Sequence, residues 1–232
     1  MIELRKSEQR GVANIGWLHS RHSFSFGEYY DPQHVGFGPL LVINEDQVQP
    51  GRGFGTHGHR NMEIISYVLS GELTHKDSMG NGSVIRPGDV QRMSAGTGVT
   101  HSEFNPSQTE LVHFLQIWIE PSRHGVTPSY EQLHIDSAAK RGVLRIIASP
   151  DGRDGSVRLH QEALIYASML SKGDRIEFTL KPDRRAYVHV ARGAVSVNGI
   201  RLANGDALKI SQESQLILDQ AEDAELLLFD LP

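Results

Sequence analysis

The chain of 232 residues is 38% hydrophobic and 22% charged, an ordinary globular composition that promises a packed core and excludes collagenous, low-complexity and largely disordered chains. Its 23 Lys and Arg against 28 Asp and Glu give a formal charge of -5, so the electrostatic footprint of a protein that grips nucleic-acid phosphates directly is absent. No window approaches the roughly 18 uninterrupted apolar residues of a spanning helix, and the start, MIELRKSEQRGVAN, lacks the apolar core of a signal peptide; the expectation is a cytoplasmic chain with no membrane partner.

Along the chain, Gly and Pro punctuate short apolar or alternating runs, and few stretches hold the spacing of a long amphipathic helix. The pattern predicts strands at Leu40 to Asn44, Ile64 to Leu69, Gly82 to Ile85, Leu111 to Ile119, Arg175 to Leu180, Ala186 to Val190, Ala194 to Val197 and Leu226 to Phe229. Many short strands at this spacing fit an all-β barrel or sandwich. A weak repeat divides them: YVLSGEL (Tyr67 to Leu73) followed by PGDV (Pro87 to Val90) is echoed by VHVARGAV (Val188 to Val195) followed by NGDA (Asn204 to Ala207). Two β units therefore fit better than one, with HGVTPSYEQLHID (His124 to Asp136) as the linker. We expect an amino-terminal domain over 1–134 and a carboxy-terminal domain over 135–232.

Chemistry concentrates in GRGFGTHGHRNME, Gly51 to Glu63, and GVTHSEFN, Gly98 to Asn105. His57 and His59 are two residues apart, as are His101 and Glu103, and on an extended chain that spacing puts both side chains of a pair on one face. On neighbouring strands the two pairs supply three nitrogens and one carboxylate. There is no cysteine, so a metal here rests on His, Asp or Glu, and this donor set suits Fe(II), Mn(II), Ni(II), Cu(II) or zinc while leaving coordination positions open. Glu63 is a further candidate ligand, but its place four residues after His59 and before a strand-like run reads better as a structural carboxylate holding an imidazole N–H.

The spacings G-x5-H-x-H-x3-E and G-x2-H-x3-N resemble the two motifs of the cupin superfamily. Together with HSFSFGEYYDPQHVGFGPLLVINED (His22 to Asp46), DSMGN (Asp77 to Asn81), MSAGTGVTHSEFN and QIWIEP (Gln116 to Pro121), the chain resembles the pirin family, densely to about residue 130 and more thinly beyond. The resemblance implies an all-β bicupin, two antiparallel β-barrel (jelly-roll) domains facing each other. It implies one metal ion, usually Fe(II), on His57, His59, His101 and Glu103 in the amino-terminal domain. It implies quercetin 2,3-dioxygenase activity, in which a flavonol and O2 are the substrates, Glu103 takes the 3-hydroxyl proton and the central ring opens with release of carbon monoxide. The alternative implied by the same family is a metal-dependent, redox-sensitive regulatory protein that acts through protein partners.

The carboxy-terminal half should be metal-free. With Gly193 set against Gly71, the positions of His57, His59 and Glu63 fall on Thr179, Lys181 and Arg185; counted from Gly88 and Gly205, those of His101 and Glu103 fall on Leu218 and Gln220. His189 is expected as a partly buried strand histidine, and His113 as a satisfied core histidine, the alternative being a substrate contact facing the interior. The aromatic segment carrying Phe24, Phe26, Tyr29, Tyr30 and Phe37 is expected as core or edge cover, with some of it able to roof the pocket.

Overall fold

A computed structural model describes residues 1–232. In chain order the first strands are β1 (Ile2–Arg5), β2 (Gly11–Asn14), β3 (Leu18–His22), β4 (Leu40–Val48), β5 (Gly53–His59), β6 (Glu63–Ser70), β7 (Leu73–Asp77) and β8 (Gly82–Ile85). Then come β9 (Asp89–Ser94), β10 (Val99–Phe104), β11 (Val112–Ile119), β12 (Ser129–His134), β13 (Arg145–Ser149) and β14 (Val157–Arg158). The last are β15 (Leu164–Leu170), β16 (Ile176–Thr179), β17 (Arg185–Val197), β18 (Ile200–Ala203), β19 (Ala207–Ser211) and β20 (Gln215–Leu231). No helix is long and apolar enough to cross a membrane. Every segment expected as a strand is extended, and so is half of the expected linker, which forms β12 and pairs with β9.

The chain forms two compact units. One comprises Gly11–His134 with Val157–Gln161; the other comprises Met1–Arg10, Ile135–Ser156 and Glu162–Pro232. The all-β, two-unit architecture stands, but the units are sandwiches of open sheets rather than closed barrels. In the first unit a seven-stranded antiparallel sheet, ordered β12-β9-β6-β11-β4-β3-β2, accompanies a four-stranded sheet ordered β5-β10-β7-β8. Leu18, Val48, Val68, Leu73, Ile85, Val112 and Phe114, drawn from both sheets, form one buried cluster. Burial alternates along β10, where Val99, His101 and Glu103 point inward.

In the second unit the order is β1-β19-β17-β20-β15-β13, with β16 on β20 and β18 on β17. β17 and β20 run 13 and 17 residues because bulges bend them rather than end them. The two strands expected at Ala186 to Val190 and Ala194 to Val197 are thus one bent strand. Gly193 marks the bend: its φ is +66°, and a Cβ there would lie 2.3 Å from the carbonyl oxygens of Glu222 and Asp223.

The internal repeat is carried by the ladders. Glu63 pairs with Ser94 and Ile119; Arg185, at the matching start of β17, pairs with Ser211 and Leu231. Asp89 and Asp206 each accept a hydrogen bond from the backbone N–H three residues upstream, at 2.9 and 3.0 Å, which is why the Gly-Asp turn recurs. The expected register of the later ligand pair slips by two residues, however. Glu103 pairs with His75, and Leu218 pairs with Val197, which stands four beyond Gly193 as His75 stands four beyond Gly71. Leu218 therefore matches Glu103, not His101. Leu216 then matches His101, and its partner Phe178 stands where His57 pairs with His101. Leu216, Leu218 and Val197 are buried in one apolar cluster with Phe178 packed against it. What is a polar site in one unit is hydrocarbon in the other.

Candidate metal centre

β5 and β10 bring the two histidine-bearing segments together, with His57 directly opposite His101 and His59 opposite Val99. A bulge interrupts the pairing between His101 and Glu103, and within it the Gly55 carbonyl accepts a 2.7 Å hydrogen bond from His57 Nδ1. Donation through Nδ1 leaves the Nε2 lone pair of His57 free and fixes the ring's orientation. The Nε2 atoms of His57 and His59 each lie 3.0 Å from Nε2 of His101. Nitrogens bound at about 2.1 Å in adjacent positions of an octahedral ion stand about 3.0 Å apart, so the spacing matches shared coordination.

Two of the rings, His59 and His101, are also in the right charge state. Burial, with the neighbouring His57 ring adding to it, pushes His59 down to about 4. Burial and the surrounding His57, His59 and His75 push His101 down to about 3. Both are neutral donors at physiological pH. The three imidazoles together offer nitrogens to a single divalent transition-metal ion.

Glu103 lies in the same cavity as His57 and His59, fully buried, with Ser66 Oγ at 3.1 Å from its Oε1 and Gln116 Nε2 donating to Oε2 at 2.7 Å. Its oxygens turn toward that pair and fall within the cluster formed by His75, His101 and Glu103 rather than the three-histidine cluster. Burial pushes its carboxyl up to about 7, the hydrogen bonds from Ser66 and Gln116 opposing and the Asp46 carboxylate reinforcing the shift.

The cavity is a narrow cleft with about 80 Å³ of room inside it. Phe26, Phe54 and Trp118 make its apolar walls, and His22, Asn44 and Asp46 add polar groups. Trp118 is held edge-on by His59 at 5.0 Å and by Phe26 at 5.3 Å. Of the amino-terminal aromatics, Phe26 thus reaches the pocket, Phe24 is core and Tyr30 is exposed. Glu63 does hold an imidazole N–H, that of His160, at 3.3 Å, and also accepts from Ser94. His113 pairs with Glu45 at 3.0 Å. Sequence reasoning passed over His75, Trp118, Gln116 and Asp46; the H-x-D spacing of His75 and Asp77 carried the same same-face signal as the two pairs that were read.

Comparison with known proteins agrees with this picture. The profile of the family described as Pirin matches residues 3–119, and the Quercetinase C-terminal cupin domain matches residues 146–231. The chain is 47% identical over its full length to a quercetin 2,3-dioxygenase of Escherichia coli K12, covering 99% of that protein. It is 42% identical to a putative quercetin 2,3-dioxygenase of Mycobacterium bovis, across 99% of this chain and 95% of the other. The crystal structure of the bacterial pirin YhhW from E. coli in complex with nickel(II) superposes with a TM-score of 0.96 at 46% identity, covering 100% of this chain and 99% of that one. The distinctive strings around His57/His59 and His101/Glu103, the two-unit β architecture and these full-length similarities have one source: the chain belongs to the pirin family.

Proposed function

We propose that the protein is an O2-dependent dioxygenase of the quercetin 2,3-dioxygenase type, acting on a flavonol with one divalent transition-metal ion per chain. The ion is held by His57, His59, His101 and Glu103, with Fe(II) as the native metal and Ni(II), Mn(II), Zn(II) or Cu(II) able to take its place. The observation that carries this reading is the convergence of three imidazole Nε2 atoms in an aromatic-walled cleft beside a buried carboxylate. Phe26, Phe54 and Trp118 suit a flat polyphenol, and the full-length similarity to a quercetin 2,3-dioxygenase supports the same substrate class.

Within this reading each residue has a separable task. A bound ion supplies positive charge that stabilises a deprotonated hydroxyl oxygen. Glu103, titrating near neutrality, takes the flavonol 3-hydroxyl proton, its carboxylate aimed by Ser66 and Gln116. The aromatic walls exclude water from the enolate that results, which is the electron-rich species that O2 attacks. We assign this work to the cytoplasm, with no direct nucleic-acid contact.

The test is oxygen uptake and carbon monoxide release from quercetin by protein reconstituted with Fe(II), Mn(II) or Ni(II), with an anaerobic control. His57→Ala and His101→Ala should lose the metal. Glu103→Gln, at matched metal loading, should lose about a hundred- to ten-thousand-fold in turnover. No uptake with any of these metals removes the enzyme reading and favours the regulatory one, which comparative pull-down with ferrous and ferric protein then addresses.

A further inference from the structure

One buried polar chain near the site is not needed to bring the ligand nitrogens together. His75 and Asp77 sit two residues apart on β7, which pairs with β10 so that Asp77 is opposite His101 and His75 is opposite Glu103. Both side chains are fully buried. Asp77 is surrounded by donors from the following turn: the backbone N–H groups of Met79 and Asn81 reach Oδ1 at 2.9 and 3.0 Å, and Asn81 Nδ2 lies 3.2 Å from Oδ1 and 2.9 Å from Oδ2. With both oxygens accepting, the carboxylate presents only acceptor capacity to His75 Nε2 at 3.1 Å.

The consequence propagates by tautomer. His75 must carry its proton on Nε2 to donate to Asp77, which leaves Nδ1 as an acceptor. The atom facing that acceptor is Nδ1 of His101, at 3.5 Å, so His101 donates through Nδ1 and presents Nε2 as a bare lone pair. That Nε2 is the atom 3.0 Å from both His57 Nε2 and His59 Nε2. The Tyr130 ring, 5.0 Å from His75 and tilted 33°, packs beside the relay imidazole. His101 thereby gains from a side-chain relay what His57 gains directly from the Gly55 carbonyl.

We propose that His75 and Asp77 are positioning residues for His101: the Asp77 carboxylate sets the tautomer of His75, and His75 sets that of His101, holding its Nε2 lone pair toward the ion. The inference rests on the reading of His57, His59 and His101 as metal ligands. It extends the functional machinery by two residues that touch neither metal nor substrate.

The experiment uses full-length protein and Zn(II), a diamagnetic ion that permits histidine-ring NMR. Long-range proton–nitrogen correlation on the Zn(II)-loaded wild type should find His75 protonated at Nε2 and His101 at Nδ1. Zn(II) affinity, measured by chelator competition, should fall about 10- to 100-fold in His75→Leu, the range for losing an outer hydrogen bond to a ligand. His75→Gln should bind as wild type, because its amide can donate to Asp77 and accept from His101. Far-UV circular dichroism establishes that both variants fold. A His75 ring protonated at Nδ1, wild-type affinity in His75→Leu, or equal losses in the Leu and Gln variants would overturn the proposal. A wild type that takes up no Zn(II), or His57→Ala binding as tightly as wild type, would instead overturn the ligand reading and this inference with it.

Discussion

Replacing Glu103 by glutamine removes a charge from the metal-free protein while keeping its shape. In the wild type the single hydroxyl proton of Ser66 faces two acceptors, Glu103 Oε1 at 3.1 Å and Gln116 Oε1 at 3.0 Å, while Gln116 Nε2 donates to Glu103 Oε2 at 2.7 Å. In Glu103→Gln the new amide oxygen can accept from Gln116, its NH2 can donate to Ser66 Oγ, and Ser66 can donate to Gln116, a closed ring with all three groups paired. The ionised wild type has no cation in this set. Its carboxyl titrates at about 7 instead of 4.5, and at 1.36 kcal/mol per pKa unit the buried charge costs about 3 kcal/mol when fully ionised. The folded state holds the proton more tightly than the unfolded state, so stability falls as pH rises from about 4.5 to about 7, and the full penalty persists above. Urea unfolding of chelator-stripped protein should therefore find Glu103→Gln more stable by about 3 kcal/mol at pH 8, with the gap nearly closed at pH 4.5. Added Zn(II) should narrow the gap at pH 8 by stabilising the wild type through binding. A variant less stable than wild type at pH 8 without metal, or a gap independent of pH, would refute the reasoning.

Gly193→Ala should cost about 2–4 kcal/mol in thermal or urea unfolding, since a left-handed backbone and a 2.3 Å approach to two carbonyl oxygens both oppose a Cβ. For Asp206, burial pushes the carboxyl up, but hydrogen bonds from Lys6 and from the Ala203 and Ser7 N–H groups outweigh it and hold it below the usual range. Its stabilisation is present above the ordinary carboxylate pKa and lost as pH falls through the lower folded value. Asp206→Asn should thus lower stability by about 1–2 kcal/mol at pH 7, and the difference in Tm should shrink in strong acid. Trp118 lies 5.0 Å from His59, so titration with Cu(II) should quench tryptophan fluorescence, and Trp118→Phe should remove most of the response while leaving binding stoichiometry intact.

The pairs His57/His59 and His101/Glu103 were legible in the sequence because alternation along a strand is a local rule: residues two apart share a face whatever the rest of the chain does. The Gly-Asp turns were legible for the same reason, each Asp binding the backbone three residues back. What was not legible depends on register between distant strands. Asp46, Gln116 and Trp118 reach the cleft from β4 and β11, whose pairing sets Asp46 opposite Phe114 and Trp118 opposite Val42, and no local pattern specifies that. The mismatch at Leu218 has a similar origin, since the connection after Ser211 is shorter than the one after Ser94. Gly193 read as a turn between two strands because a glycine in an apolar run looks alike whether the chain reverses or merely bends. β12 was hidden in a Gly- and Pro-bearing stretch whose extended half is fixed only by its distant partner β9.

The first ten residues belong to the unit completed by the last hundred, and this shapes how the protein is made. Ile2 pairs with Ile210 and Arg5 with Ala207, so β1 is synthesised about two hundred residues before its partner exists. Meanwhile the segment from Gly11 to His134 emerges with most of its own partners already synthesised, awaiting only Val157–Gln161. Vectorial synthesis thus folds the unit with the histidine cluster early, while β1 waits for β19. Closure of that strand onto β19, a contact of very high sequence separation, becomes a late step in maturation. A fusion partner placed at the amino terminus would burden this late closure rather than the assembly of the histidine cluster.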